Sequence, residues 1–127
     1  MKYSISIILF ATFLFVQPGC KNAIDDIVND IIDCSIESAY LSIHANADTT
    51  NTKLIHFEFV NSDTEGTFIL NSDINWDFGD GVAITSTDHK TEHIYAAAGD
   101  YKVTAHYTLH RGSASCNSTK EKNITVN

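Results

Sequence analysis

Residues 76–81 read Trp-Asp-Phe-Gly-Asp-Gly, so two large aromatic side chains occupy alternate positions directly before a glycine-rich turn. Alternate side chains of an extended strand point to the same face, and Trp76 and Phe78 are therefore predicted to fill a core together. Gly79 and Gly81 adopt positive φ without steric cost, as a tight hairpin turn requires. The stretch predicts a half-buried strand and the turn that ends it.

The two acidic residues of this stretch have structural explanations. Asp77 points away from Trp76 and is expected to hold a neighbouring loop, and Asp80 is expected to bond backbone amides in the turn. A calcium site at Asp77 and Asp80 stays open as an alternative, although an EF-hand has an oxygen ligand at nearly every second position and a terminal Glu. We therefore assign the chain no catalytic residues and no cofactor, with calcium as the open exception.

Alternation of apolar and polar residues continues on both sides of the turn. The alternating segments are residues 39–43, 55–59, 74–78, 101–109 and 124–126. Turn-forming residues separate them, and short strands spaced in this way are typical of an antiparallel β-sandwich. We predict one all-β domain over residues 38–127 and no second domain.

Two further motifs follow the turn, a His-x-Tyr and a Gly-x-Tyr-x-Val. Their defining residues are His93, Tyr95, Gly99, Tyr101 and Val103. Together with residues 76–81, these motifs resemble the signature of the polycystic kidney disease (PKD) domain family, over roughly residues 38–127. The resemblance implies an Ig-like antiparallel sandwich of about seven strands. It also implies a non-catalytic module, since such domains commonly contact polysaccharide or protein beside hydrolases.

The remaining signature residues also have structural roles. His93 and Tyr95 are expected to tie a loop to the sheet through side-chain hydrogen bonds, and Gly99 relieves the turn before the next strand. Two features depart from the family pattern. The loop at residues 61–71 is longer and more polar, and the family has no counterpart of the cysteines at positions 34 and 116.

The first residues have the pattern of an export signal. Lys2 precedes an apolar run from Ile5 to Val16. This run is too short to span a bilayer, which takes about 20 apolar residues. Gly19-Cys20 resembles a bacterial lipobox, in which the Cys is lipidated and begins the mature chain, although the two residues before Gly19 depart from the usual pattern. We expect residues 1–19 to be a lipoprotein signal peptide. The alternative is an ordinary signal peptide with a chance Cys.

The number of cysteines is consistent with lipidation. The chain has three, and an odd number in an exported protein needs an explanation. If Cys20 carries lipid, Cys34 and Cys116 remain as a pair in an oxidising compartment, where disulfides persist. The alternative is two unpaired thiols.

Residues 20–37 link the lipidated Cys to the domain and include an amphipathic stripe. Its apolar positions are Ile24, Ile27, Val28, Ile31 and Ile32. This spacing predicts a short helix over residues 23–33, with aspartates on its other face. The helix packs on its own sandwich or on a partner, or the segment is a flexible acidic tether. The residues leave these alternatives open.

The charge of the chain excludes some partners. It has 8 Lys and Arg against 16 Asp and Glu, a net charge of −8. Nucleic acid needs a basic face, and anionic lipid attracts basic segments, so membrane contact is expected only through acyl chains on Cys20. We expect a lipid-anchored protein of the bacterial cell envelope, in the outer membrane, on its periplasmic or its surface side.

The histidines do not predict a metal site. His106 and His110 share the outward face of one predicted strand, but they lie about 13 Å apart at 3.3 Å per residue. One Zn²⁺ ion with bonds of about 2.1 Å cannot bind both. We therefore predict no metal centre.

Three functions agree with the sequence. The first is a binding or adhesion module for an envelope protein or polysaccharide. Exposed aromatic rings would favour a polysaccharide, but Tyr40 is the exposed candidate and most other aromatic side chains are assigned to the core, which places protein partners ahead. The second is a spacer, or a subunit of an envelope assembly that docks through residues 23–33. The third is an inhibitor or immunity-type lipoprotein.

Overall fold

A computed structural model describes residues 36–66 and 68–127. The regular secondary structure of these residues is almost entirely β-strand. A 3₁₀ turn at Ser38–Tyr40 precedes eight strands. They are β1 (Leu41–Ala47), β2 (Leu54–Asn61), β3 (Ile69–Leu70), β4 (Ile74–Asp77), β5 (Ala83–Ser86), β6 (Lys90–Ile94), β7 (Gly99–Arg111) and β8 (Ala114–Val126). The predicted signal peptide, lipidated Cys20, helix over residues 23–33 and Cys34 lie outside the described residues.

The strands form two antiparallel sheets. One has three strands in the order β1-β2-β6, and the other has five. In the second sheet β7 pairs with β8 along its whole length, while β3 and β4 share its other side and β5 pairs with β4. This arrangement confirms the predicted antiparallel sandwich.

The core lies between the two sheets and consists of the inward residues of the alternating segments. The buried apolar residues are Leu41, Ile43, Ile55, Phe57, Phe59, Phe68, Ile74, Trp76, Phe78, Tyr95, Val103, Ala105, Tyr107, Leu109 and Val126. Aromatic rings join the sheets. The Phe57 ring of β2 lies 5.8 Å from that of Trp76 and 5.4 Å from that of Phe78.

The structure has more strands than the alternating pattern predicts, and one of them is longer. Strand β8 runs from Ala114 to Val126, whereas only its last residues were expected to be extended. Its middle is Ser, Asn, Thr, Lys and Glu, and backbone pairing with β7 holds it in place without an apolar stripe. The long loop at residues 61–71 contains β3 and the buried ring of Phe68, over which the Arg111 guanidinium lies at 5.4 Å.

Two buried tyrosines differ in what their hydroxyls contact. The Tyr95 hydroxyl donates a 3.0 Å hydrogen bond to the carbonyl of Phe78, which joins the end of β6 to the end of β4. The hydroxyl of Tyr107 is also buried, but it has no hydrogen-bond partner in the described part of the chain. Among the described residues the same chemical group is therefore hydrogen-bonded at one position and desolvated without a hydrogen bond at the other.

We expect Tyr95→Phe to lower the free energy of unfolding by about 1–3 kcal/mol, because it leaves a buried carbonyl without its donor. Tyr107→Phe is its matched control and should leave that free energy unchanged or raise it. Urea unfolding followed by the fluorescence of Trp76, which is the single Trp of the chain and is buried, measures both variants. Equal losses of stability in the two variants would contradict this account.

Candidate functional site

The turn after β4 is fixed by its own carboxylates. Asp77 Oδ1 accepts a 2.9 Å hydrogen bond from the backbone N–H of Gly79, and Asp80 Oδ1 accepts one of 3.1 Å from that of Val82. The backbone N–H of Phe78 donates to the carbonyl of Val82 at 3.0 Å, which closes the hairpin. Both carboxylates therefore serve the conformation of the turn.

Glycine is required at the first position of this turn. Gly79 has φ of +80°, and a Cβ atom there would lie 2.5 Å from the carbonyl oxygen of Lys102 in β7. A side chain would therefore meet both backbone strain and a backbone clash. The turn packs directly on the neighbouring strand.

His93 lies over the turn and is held on two sides. Its Nε2–H donates a 2.6 Å hydrogen bond to Asp80 Oδ2, and the two side chains are only 12% and 18% exposed. The imidazole stacks on the Phe78 ring at 4.2 Å between centroids and 2° between planes, and the Tyr95 ring meets it edge-on at 4.6 Å. These contacts connect the three-stranded sheet to the turn of the five-stranded sheet.

The other signature residues extend this cluster. Tyr101 packs on Tyr95 at 4.2 Å between ring centroids, and its hydroxyl donates to the carbonyl of Ala97 at 2.9 Å. Gly99 begins β7, and Val103 is fully buried in that strand. The structure therefore brings residues 76–81 together with His93, Tyr95 and Tyr101 at one end of the sandwich, while Val103 lies in the core between the sheets.

The pKa values of Asp80 and Tyr95 in this cluster are shifted away from neutral pH. Partial burial acts to raise the pKa of Asp80, but hydrogen bonds from His93 and from the Val82 amide outweigh it, so the pKa of this carboxyl lies below its usual range. Burial raises the pKa of Tyr95, and the nearby Asp80 carboxylate raises it further. At neutral pH the carboxylate stays ionised and the phenol stays neutral, so both keep the roles that hold the turn.

The potential metal ligands of the described residues are dispersed. Within residues 36–66 and 68–127, no three His, Cys, Asp or Glu side chains are grouped so that they would hold a metal ion. The carboxylates of Asp77 and Asp80 each accept a backbone hydrogen bond in the turn. His106 is exposed and His110 half-buried on the same outer face of β7.

The outer face of the three-stranded sheet is charged. His56 lies between two acids, with Nε2 3.6 Å from Asp48 Oδ2 and Nδ1 3.5 Å from Glu92 Oε2, and Lys90 pairs with Glu58 at 3.1 Å. The side-chain and backbone groups of Thr50 bond Asp48 and lower its pKa to about 2. This face therefore presents the Lys90–Glu58 ion pair and a histidine between two carboxylates.

The outer face of the five-stranded sheet carries a groove that the sequence did not predict. It crosses β4, β7 and β8, and its lining includes Asp73, Asn75, His106, Thr108, Asn117 and Thr119. The outward alternation of β7 already placed His106 on this face. The residues of β4 and β8 that line the groove beside His106 come from separate segments of the sequence. They lie next to His106 because of the pairing register of the strands.

No helix in the described part of the chain has the length and apolar character needed to cross a membrane.

Comparison with known proteins agrees with this geometry. The family model described as "PKD domain" matches residues 40–126. The crystal structure of the PKD1 domain from the Vibrio cholerae metalloprotease PrtV is similar with a TM-score of 0.50 and 22% identity, covering 68% of this chain and 93% of that one. The PKD1 domain of Vibrio anguillarum Epp gives a TM-score of 0.49 and 19% identity, covering 68% and 89%. Among curated protein sequences, none matches the chain.

The depressed pKa of Asp80 predicts a specific dependence of stability on pH. Because the folded-state pKa lies below the unfolded value of about 3.9, the carboxylate stabilises the fold above about pH 4. This contribution is lost as the pH falls through the folded-state pKa. Asp80→Asn should therefore be less stable than the parent at pH 7, and the difference should shrink as the pH falls below 4.

Urea midpoints of the parent and Asp80→Asn at pH 7, 4 and 2.5 measure this difference. Glu65→Gln is the control, since Glu65 is exposed and its carboxylate accepts no hydrogen bond in the described part of the chain. Its difference from the parent should stay small throughout. A gap between parent and Asp80→Asn that is as wide at pH 2.5 as at pH 7 would show that the carboxylate is not stabilised by its partners.

Proposed function

The chain belongs to the PKD domain family, and we propose that it is a cell-envelope lipoprotein in which this domain is a non-catalytic binding module. The lipid is carried by Cys20, and Cys34 and Cys116 form a disulfide. The ligand is an envelope protein or polysaccharide.

One observation carries the proposal of a non-catalytic module. The signature residues make their contacts within the domain. Trp76, Phe78 and Tyr95 are buried, and Asp77 and Asp80 accept hydrogen bonds from the backbone of the turn after β4. Their hydrogen bonds and ring contacts are internal. What the domain offers to the outside is its two sheet faces, and these have the polar side chains of a binding surface.

The proposed location is supported by the sequence. A charged start, a short apolar run and Gly19-Cys20 are typical of an exported lipoprotein. The position of Cys116 also agrees with a disulfide, since it is half-buried against the core in β8, opposite Leu109. With a net charge of −8, acyl chains are the means of membrane attachment that fits the chain.

We expect Cys20→Ser to abolish membrane attachment when the chain is expressed with its own leader in a bacterium that processes lipoproteins. Cys34→Ser is the matched control and should remain in the membrane fraction with the acylated mass of the parent. Fractionation and intact mass of the purified product measure both. Alkylation before and after reduction, on the same samples, should show a free thiol in unreduced Cys34→Ser but none in the parent. Membrane partition of Cys20→Ser equal to that of the parent would refute the anchor.

Binding is tested separately, by cosedimentation of the processed chain with envelope fragments from the same bacterium. We expect a saturable bound fraction, because a module without catalytic chemistry acts through retention of a ligand. Protease digestion of the fragments removes binding if the ligand is a protein, and periodate oxidation removes it if the ligand is a polysaccharide. The control is an unrelated β-sandwich of similar net charge. Binding no greater than that of this control would refute the module.

A further inference from the structure

The groove on the five-stranded sheet has a regular construction. Its volume is about 460 Å³. In the strand register Asn75 of β4 lies opposite His106 of β7, and His106 lies opposite Thr119 of β8. Paired residues of neighbouring antiparallel strands share a face, so these three side chains form one row across the sheet. Thr108 and Asn117 form the next row on β7 and β8.

Two asparagines of these rows are oriented by threonines. Thr85 of β5 lies opposite Asn75, and its Oγ1–H donates to Asn75 Oδ1 at 2.5 Å. Thr108 Oγ1–H donates to Asn117 Oδ1 at 2.7 Å. Each amide oxygen is therefore engaged, and within residues 36–66 and 68–127 neither Nδ2 group has an acceptor.

Each Thr–Asn pair is therefore a fixed donor beside a fixed acceptor. The Nδ2 group has its protons to donate, and the threonine oxygen keeps lone pairs after it has donated its own proton. The orientation exists before any ligand arrives, so binding does not have to immobilise these side chains. The two asparagines are two strand spacings apart across the sheet and two residues apart along it, so about 12 Å separates them. That separation is wider than one sugar ring.

The charge of the groove selects the class of ligand. The chain has 16 acidic and 8 basic residues, yet the groove contains one carboxylate, Asp73, and no Lys or Arg. The opposite sheet face, in contrast, has a groove lined by Glu58, Asp88, Lys90 and Glu92. An ionic ligand would lose part of its hydration in the groove, and the amides and hydroxyls there would replace little of it. The lining has no exposed aromatic or Arg side chain, and protein–protein interfaces depend on such side chains.

We propose that this groove is the ligand site of the domain, and that Thr85–Asn75 and Thr108–Asn117 bind successive units of an uncharged polysaccharide. The hydroxyls of such a chain donate and accept in alternation, which matches the paired groups. This inference rests on the proposed binding function and narrows it to one surface and one class of ligand.

Affinity electrophoresis of the processed full chain tests the proposal, with dextran, mannan, a β-1,3-glucan, arabinogalactan and deproteinised envelope polysaccharide as probes. At least one probe should retard the parent. Asn75→Ala and Asn117→Ala should each weaken that binding by about tenfold or more, as expected for loss of a hydrogen-bonding group. Asn46→Ala is the matched control, since Asn46 is an exposed asparagine on the other sheet. It should bind like the parent.

A second pair of variants separates the hydroxyl from the shape of the side chain. Thr108→Ser keeps the hydroxyl and should retain binding, whereas Thr108→Val removes it and should bind as weakly as Asn117→Ala. All of these positions face outward, and melting temperatures close to that of the parent will verify that each variant is folded.

The outcomes are distinguishable from those of the proposed function. Failure of every polysaccharide to retard the parent overturns this inference, as does binding that Asn75→Ala and Asn117→Ala leave unchanged. Cosedimentation with envelope fragments that is abolished by protease, together with no retardation by polysaccharide, overturns the inference but leaves the binding module intact. No cosedimentation together with no retardation by any polysaccharide removes both.

Discussion

The hydrogen bond from the Tyr95 hydroxyl to the Phe78 carbonyl is a buried polar contact that joins the two sheets at one end of the core. It starts at the end of β6 in the three-stranded sheet and finishes at the end of β4 in the five-stranded sheet. The backbone N–H of Tyr95 donates to the carbonyl of Lys53 next to β2, so the tyrosine is held in its own sheet as well. His93 stacks on Phe78 and closes the same turn through Asp80. One end of the sandwich is thereby fixed by a few short contacts.

This constraint also decides what the outer face presents. With Trp76 and Phe78 held in the core, the side-chain period of two sends Asn75 and Asp77 outward. A slip of β4 by one residue would bury Asn75 and expose the indole ring of Trp76, at a large cost in apolar burial. The packing of the core therefore fixes Asn75 opposite His106, and the position of the groove follows from the same residues that form the family signature.

The parts of the structure that were predictable from the sequence are those with large apolar side chains at alternate positions. The inward faces of β2, β4 and β7 fall in this class, because aromatic and aliphatic residues there have no other place to be buried. Strand β8 is mostly polar, and β3 has two residues, so neither leaves a periodic pattern of its own. The groove was not predictable, because the periodicity of one strand shows which side chains point outward but not which residues of the neighbouring strands lie beside them. His106 was recognised as outward, but its neighbours Asn75 and Thr119 follow only from pairing.

The two outer faces differ in a way that composition alone hides. An acidic chain repels anionic surfaces at long range, and this repulsion is strongest where its charges are exposed. On one face the acids are paired with His56 and Lys90, which fixes them in a polar network. On the other face the row beside the groove contains Glu121, and Lys102 neutralises it at 2.9 Å. Glu121 is therefore neutralised beside the groove, and the exposed Asp73 is the one carboxylate in its lining. A neutral ligand can approach this surface of a net acidic protein without a counterion, whereas an anionic ligand would meet a lining with no Lys or Arg to replace its hydration.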